Sequence, residues 1–281
     1  MRNNVKTAVL LAGLGGLCIV IGSFWGTGGA FIGLLVGLAM CAGSYWASDT
    51  LAIRSARAVP VSADEMPQYH AITKELCDRA GLPMPRLFVS PDAQPNAFAT
   101  GRSPDHAAVC VTQGLLQTLG WDEIQGVLAH ELSHVRNRDI LIGSVAAAVA
   151  MGITFAARIG QFAMIFGGGG GRSDSRDNPL GALLMLILAP IAAVLIQAAI
   201  SRSREFEADA SAARLLGTGE PLARALEKLE AGAQRIPSPV NPAEASAYIV
   251  NPLRGRNVTG WFTTHPPTSE RIARLRSNAW V

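Results

Sequence analysis

Charged residues are scarce in this sequence, at 16% of its 281 residues. Soluble globular chains carry about 25%, so the shortage favours a membrane protein. The net charge is only +3 and no basic run is interleaved with aromatic residues, which argues against a nucleic-acid partner. Cysteine is also rare. The four cysteines form no CxxC pair, so neither a disulfide framework nor a cysteine zinc site is predicted.

Charge is absent altogether from Thr7 to Ser48. This run is too long for one membrane crossing of about 20 residues and suits two. The stretch "WGTGG", from Trp25 to Gly29, supplies a turn between them. A cleaved signal peptide is the alternative, but the apolar run continues directly into a second one. We therefore predict an N-terminal transmembrane hairpin over residues 1–48.

A second uncharged pair of segments runs from Ile140 to Ala157 and from Asn178 to Ser201. Between them lies a polar, glycine-rich loop, residues 167–179, so residues 140–201 are predicted to form a second transmembrane hairpin. The pair is richer in Ala and Gly than in Leu. A buried hairpin of a soluble domain is therefore an open alternative here.

Lysine and arginine mark the sides of the predicted membrane segments. They precede the first segment and follow the second, and they precede the third and follow the fourth. The positive-inside rule then places both termini and the two soluble parts, residues 49–139 and 202–281, in the cytoplasm. The predicted fold is mainly α, a polytopic membrane protein with four transmembrane helices and a zincin-like α+β catalytic domain.

The strongest chemical motif lies in "WDEIQGVLAHELSHVRN", whose apolar residues recur at helical spacing. On a helix, His130 and His134 share one face and can bind one zinc ion. Glu131 is rotated by about 100° to the edge of the same site, where its carboxylate can take a proton from metal-bound water. The chain has only five histidines, so a chance HExxH is improbable. We predict one zinc per chain.

A catalytic zinc needs a third protein ligand, and "SRSREFEADASAARLL" offers one. Glu205 and Asp209 share a helical face. We predict that Glu205 binds the metal and that Asp209 accepts a hydrogen bond from a ligand histidine. Glu207 points elsewhere and is expected to pair with Arg204. On spacing alone, an ordinary charged helix start without metal is an equal alternative.

Ahead of the zinc helix, a helix over residues 63–80 and three short strands, "RLFVS", "NAFAT" and "AAVCVT", predict a small sheet. An edge strand containing Asn96 and Ala97 could bind an extended substrate by main-chain hydrogen bonds. Ordinary sheet packing is the alternative. If the helices of His134 and Glu205 continue into the membrane, the zinc lies about 10 Å from it, a position suited to membrane-protein substrates.

Several motifs in order carry a family resemblance: "NAFATG", the HELSH helix followed by "NRD", "REFEADA" and "THPPTSERIARL". The chain resembles the HtpX family of membrane-bound zinc metalloproteases, bacterial relatives of the CAAX prenyl proteases. The resemblance implies His130, His134 and Glu205 as ligands and Glu131 as general base, and it favours the proposed place of Asp209. It also implies proteolytic quality control of misfolded or damaged membrane proteins, as a stress response in the bacterial inner membrane.

His265, within "THPPTSER", is a weaker candidate. By resemblance it could approach the site and stabilise the transition state, and a capping or packing histidine is an equal alternative. Two other functions stay open. One is a zinc-binding membrane chaperone or adaptor with weak proteolysis, and the other is a specific processing peptidase. Four membrane segments are few for a dedicated processing chamber, which favours a broad protease.

Overall fold

The computed structural model describes residues 26–140, 202–235 and 266–280, together with parts of 12–23. The second predicted hairpin after Ile140, its glycine-rich loop and His265 lie outside the described residues.

The first long helix, α1, spans Gly26–Ser55. It passes without a break through the predicted boundary between Ser48 and Asp49. The described residues of 12–23 are also helical and pack closely against α1 through glycines. A Cβ on Gly33 would lie 2.2 Å from the carbonyl oxygen of Cys18. Gly26 has a φ of +81°, a conformation that suits the turn predicted at this point.

The described helices can be tested for the length and apolar composition of a transmembrane helix. Within the described ranges, no helix combines the length and the apolar composition that spanning a bilayer requires. The prediction of four transmembrane helices is therefore not confirmed.

A four-stranded sheet follows α1, with strands β1 (Val59–Pro60), β2 (Arg86–Ser90), β3 (Ala97–Gly101) and β4 (Ala107–Thr112). The spatial order is β1-β2-β4-β3, with β2 and β4 parallel and the other pairs antiparallel. Three strands match the prediction within one residue. The sequence did not predict β1, because it has two residues and one is proline, a strand breaker except at sheet edges.

The described residues form six further α-helices: α2 (Pro67–Ala80), α3 (Gln113–Thr118), α4 (Trp121–Arg136), α5 (Arg202–Leu216), α6 (Glu220–Arg235) and α7 (Thr268–Arg276). Helix α2 begins at its proline rather than at residue 63. The residues before it form a separate turn, in which the Ser62 N–H donates to Glu65.

Helix α4 occupies the centre of the fold, between α5, α6 and the strand β3. Its apolar side chains, among them Leu128 and Leu132, are fully buried in the main core. On the other sheet face, Ile53 at the end of α1 packs with Phe88 and Phe98. The sheet is thus covered on both faces near β3, and α4 holds its polar side chains beside that strand.

Candidate metal centre

Helix α4 is held firmly at its first turn. Glu123 is buried, accepts a hydrogen bond from the Gly120 N–H at 2.8 Å and pairs with Lys228 of α6 at 2.8 Å. Acidic side chains in a first turn also complement the helix dipole. The helix that carries the HExxH motif is therefore fixed in rotation, with His130 and Glu131 both buried.

Three donor atoms converge on one point beside α4 and α5. The two Nε2 atoms of His130 and His134 are 3.2 Å apart. Glu205 Oε2 lies 3.6 Å from His130 Nε2, and Glu205 Oε1 lies 3.7 Å from His134 Nε2. A tetrahedral zinc with bonds of about 2.0–2.1 Å separates its ligands by about 3.3–3.4 Å. The donor set and its spacing therefore fit a zinc ion, with a fourth position left over.

The charge around this point also fits a divalent cation. Four carboxylates and two guanidinium groups from the described residues surround it, and all are largely buried: Glu131, Asp139, Glu205 and Asp209, with Arg204 and Arg271. Four negative and two positive charges leave a net charge of −2. Because burying uncompensated charge is expensive, a dication bound here would neutralise the site.

The pKa of His130 also shows that the surrounding carboxylates favour a positive charge. Burial by itself lowers the pKa of His130, but hydrogen bonding to Asp209 and Glu205 outweighs it and raises the pKa to about 9. The carboxylates therefore stabilise a cation at this point.

Glu131 lies next to the three donors and is anchored by the sheet. Its Oε2 accepts a hydrogen bond from the Ala99 N–H of β3 at 2.8 Å, which leaves Oε1 for a water molecule. Burial raises the pKa of Glu131, and the neighbouring His130 and His134 counter this only in part. A carboxylate with a raised pKa is a better proton acceptor, as general-base catalysis requires.

Asp209 lies next to Nδ1 of the His130 imidazole, whereas Nε2 of that ring faces His134. Its Oδ1 lies 3.0 Å from His130 Nδ1. Burial raises the pKa of Asp209, but the neighbouring Arg271 guanidinium overcomes this and holds the pKa at about 2. Asp209 is therefore ionised and can fix the His130 tautomer that presents Nε2 to a metal.

Arg271 of α7 is a residue that the sequence analysis missed. It is 1% exposed and binds both oxygens of Asp209 at 2.8 Å. It also lies 3.9 Å from Glu205. A signal was present: Thr268, Arg271 and Leu275 share the buried face of α7, and an arginine among buried positions needs a carboxylate partner.

The sequence analysis gave Asp139 no role, and it paired Arg204 with another residue. Asp139 Oδ2 lies 3.4 Å from Nδ1 of His134, and Arg204 lies 4.0 Å from Asp139. The predicted pairing of Arg204 with Glu207 is wrong. Glu207 is exposed and lies 3.9 Å from Arg214 instead, because Arg204 turns inward towards the buried carboxylates.

Strand β3 presents its free edge to this site. The Asn96 carbonyl accepts from the Thr112 N–H, and the Asn96 N–H donates to the Thr112 hydroxyl. The main-chain groups of Asn96 therefore face β4. In an antiparallel ladder the alternate residues, Ala97 and Ala99, then face away, as the bond from Ala99 to Glu131 illustrates. A substrate role for Asn96 and Ala97 stays a prediction.

Two histidines and a glutamate around one point, beside a buried glutamate, are the donor set and base of a zinc metallopeptidase. Comparisons with known proteins agree. Residues 63–279 match the model of peptidase family M48. The "Protease HtpX homolog" of Syntrophotalea carbinolica is 50% identical over 98% of both chains. That of Pelotomaculum thermopropionicum is 48% identical over 99% of both. The chain belongs to peptidase family M48, within its HtpX group.

The fold has a solved counterpart in the structure of S. mikatae Ste24p. The TM-score is 0.54 at 21% sequence identity, and the match covers 98% of this chain and 65% of that one. At this identity the likeness concerns the fold alone. The chain is a metallopeptidase, and its cofactor is zinc.

Proposed function

We propose that this chain is a membrane-bound endopeptidase that cleaves internal peptide bonds of misfolded or damaged membrane proteins. One observation carries the catalytic part of the proposal. His130, His134 and Glu205 each place one donor atom within 4.8 Å of the other two, and Glu131 lies beside them and accepts a hydrogen bond from the edge strand. In the proposal these three residues bind zinc and Glu131 is the general base.

Bound zinc supplies a Lewis acid that polarises a carbonyl and lowers the pKa of a water towards about 7. Glu131 accepts the proton of the attacking water at Oε1, since Oε2 is held by Ala99. The same oxygen then returns the proton to the nitrogen of the leaving amine. Asp209 and Arg271 keep His130 oriented during both transfers.

The free side of β3 is the proposed place for the substrate main chain. An extended peptide that adds to this edge forms main-chain hydrogen bonds, which do not depend on its side chains. Ala97 and the carbonyl of Ala99 are the groups available for pairing, because the Ala99 N–H is occupied by Glu131. Binding of this kind suits unfolded segments of many sequences, as quality control requires.

The membrane part of the proposal rests on the sequence and on α1. Residues 7–48 and 140–201 contain the long uncharged runs, and large apolar side chains on α1, including Phe31 and Ile32, are more than 60% exposed. Exposed apolar surface of this kind suits lipid contact. The proposed location is the bacterial inner membrane, with both termini and the catalytic domain in the cytoplasm.

The first test measures zinc content and casein cleavage on detergent-purified full-length protein. Glu131→Gln should retain one zinc per chain and lose cleavage by about 10²–10⁴-fold, because only proton transfer is removed. Glu205→Gln should lose both zinc and cleavage. Its matched control is Glu207→Gln, since Glu207 is exposed on the same helix, and it should behave as the wild type. Wild-type cleavage rates in Glu131→Gln would contradict the proposal.

The second test concerns the substrate. In liposomes, the wild type should cleave a membrane protein carrying a destabilised domain and should spare the same protein with that domain folded. Unfolded inserts of unrelated sequence should be cleaved at similar rates, since pairing uses the main chain. Cleavage confined to one insert would favour a specific processing peptidase instead. Zinc binding without cleavage of any insert would favour the chaperone or adaptor.

A further inference from the structure

The His134 imidazole has a carboxylate behind it that the proposed mechanism does not use. Its Nδ1 lies 3.4 Å from Oδ2 of Asp139, whose side chain is 8% exposed. The other oxygen of Asp139 lies 4.0 Å from Arg204, and that side chain is 12% exposed. All three groups are shielded from water, so their mutual electrostatic interactions are weakly screened.

The same arrangement occurs at the other ligand histidine. His130 meets Asp209 through Nδ1, and Asp209 meets Arg271. A neutral imidazole that binds a metal through Nε2 must carry its proton on Nδ1, where a carboxylate can accept it. Each of the two histidines therefore has a carboxylate next to its Nδ1 and a guanidinium next to that carboxylate.

The chain reaches Asp139 by a tight turn after α4. The N–H groups of Asn137 and Arg138 bond back to the carbonyls of Ser133 and Val135. Arg138 then adopts a φ of +58°, a left-handed conformation that is unfavourable for a residue other than glycine. This turn brings the chain back towards His134 and places Asp139 next to Nδ1 of that residue. The strained residue, Arg138, therefore directly precedes Asp139.

Arg204 reaches the same point from the far end of residues 141–201. It lies in the first turn of α5, directly before Glu205. Asp139 and Arg204 therefore stand at the two ends of the segment 141–201, the second predicted hairpin. Their pairing joins these ends at the position where His134 needs a proton acceptor.

We propose that Asp139 and Arg204 are positioning residues for zinc binding by His134. Asp139 fixes the tautomer and rotation of the imidazole, and Arg204 holds the Asp139 side chain in place. The arrangement makes the metal centre depend on how the two ends of segment 141–201 meet. This inference rests on the proposed function, because it takes His134 to be a zinc ligand.

The test measures the zinc dissociation constant of the detergent-purified full chain by chelator competition. Asp139→Ala should weaken zinc binding by about 10–100-fold, as loss of such partners does elsewhere. Arg204→Met should weaken it by roughly tenfold, and Arg204→Lys should recover part of that loss. Because Arg204 acts through Asp139, the double variant should bind zinc no more weakly than Asp139→Ala alone.

Asp122 and Arg224 provide a matched control pair. They form an exposed carboxylate–guanidinium pair between α4 and α6, so Asp122→Ala and Arg224→Met should leave zinc binding unchanged. A second readout is the visible absorption spectrum of the cobalt-substituted protein, which follows ligand geometry. Asp139→Ala should alter this spectrum and Asp122→Ala should not. Melting temperatures of the metal-free proteins will show whether each variant folds.

The outcomes separate this inference from the proposed function. An unchanged zinc dissociation constant in Asp139→Ala, or strictly additive losses in the double variant, would overturn the positioning role. If Asp139→Ala does not fold, the isosteric Asp139→Asn takes its place, with an expected loss of about three- to tenfold and an altered cobalt spectrum. His134→Ala serves as the reference. If that variant retains zinc like the wild type, the metal site itself is wrong.

Discussion

Ala99 gives its N–H to Oε2 of Glu131 at 2.8 Å, from the side of β3 that faces away from β4. Proline at this position would remove that donor and keep the ladder intact, as edge strands allow. A hydrogen bond to a charged group contributes about 1.5–3 kcal/mol. We therefore expect Ala99→Pro to lower kcat for casein by roughly 10–100-fold while zinc content stays at the wild-type level.

Ala97→Pro is the matched control for this substitution, because Ala97 faces the same free edge without touching Glu131. We expect it to raise KM through loss of a substrate hydrogen bond and to leave kcat nearly unchanged. Equal kcat losses in the two variants would mean that both prolines simply distort β3.

Helical spacing in the sequence groups the residues that the structure brings together at the candidate site. His130, Glu131 and His134 lie on one helix, and Glu205 and Asp209 on another, so periodicity alone groups them. Arg271 and Asp139 were not found. Their partners lie on other elements, and no local period connects an arginine of α7 or a turn residue to a distant histidine.

Helices α4 and α6 meet at Gly126, where only hydrogen fits. A Cβ there would lie 2.6 Å from the backbone nitrogen of Leu222 and 2.9 Å from its Cα. Gly126→Ala must push α6 away from the zinc helix, so we expect it to lower the free energy of unfolding by about 1–3 kcal/mol. Thermal unfolding of the purified protein measures this.

Gly232→Ala is the control within α6. Its added Cβ would lie 3.5 Å from Pro95, an ordinary contact. Since alanine favours helix over glycine by about 1 kcal/mol, this variant should be as stable as the wild type or more so. Similar losses in both variants would show that the close approach at Gly126 is not the cause.

The elements themselves were largely predictable, and their arrangement was not. Apolar periodicity predicted α4, and alternation between turn signals predicted β2, β3 and β4. The parallel pairing of β2 with β4 and the edge position of β3 depend on contacts between residues far apart in sequence. Nothing in a single strand specifies its neighbour, so the placement of Ala99 against Glu131 came only from the structure.

The metal centre draws on the whole fold, since β3, α4, α5 and α7 all contribute groups to it. Zinc bound at about 1,000 times its dissociation constant stabilises the native state by about 4.1 kcal/mol. For a catalytic domain of this size, that corresponds to roughly 8–16 °C in Tm. We expect chelation to lower Tm by this amount and zinc to restore it. Equal restoration by magnesium would contradict a zinc centre with two histidine ligands.

The position of Arg271 in the sequence determines when the metal centre can form during protein synthesis. A nascent chain contains Asp209 well before it contains Arg271, and until then the buried carboxylates lack the guanidinium that neutralises them. The metal centre is therefore completed only after α7 has been synthesised and has packed against α5.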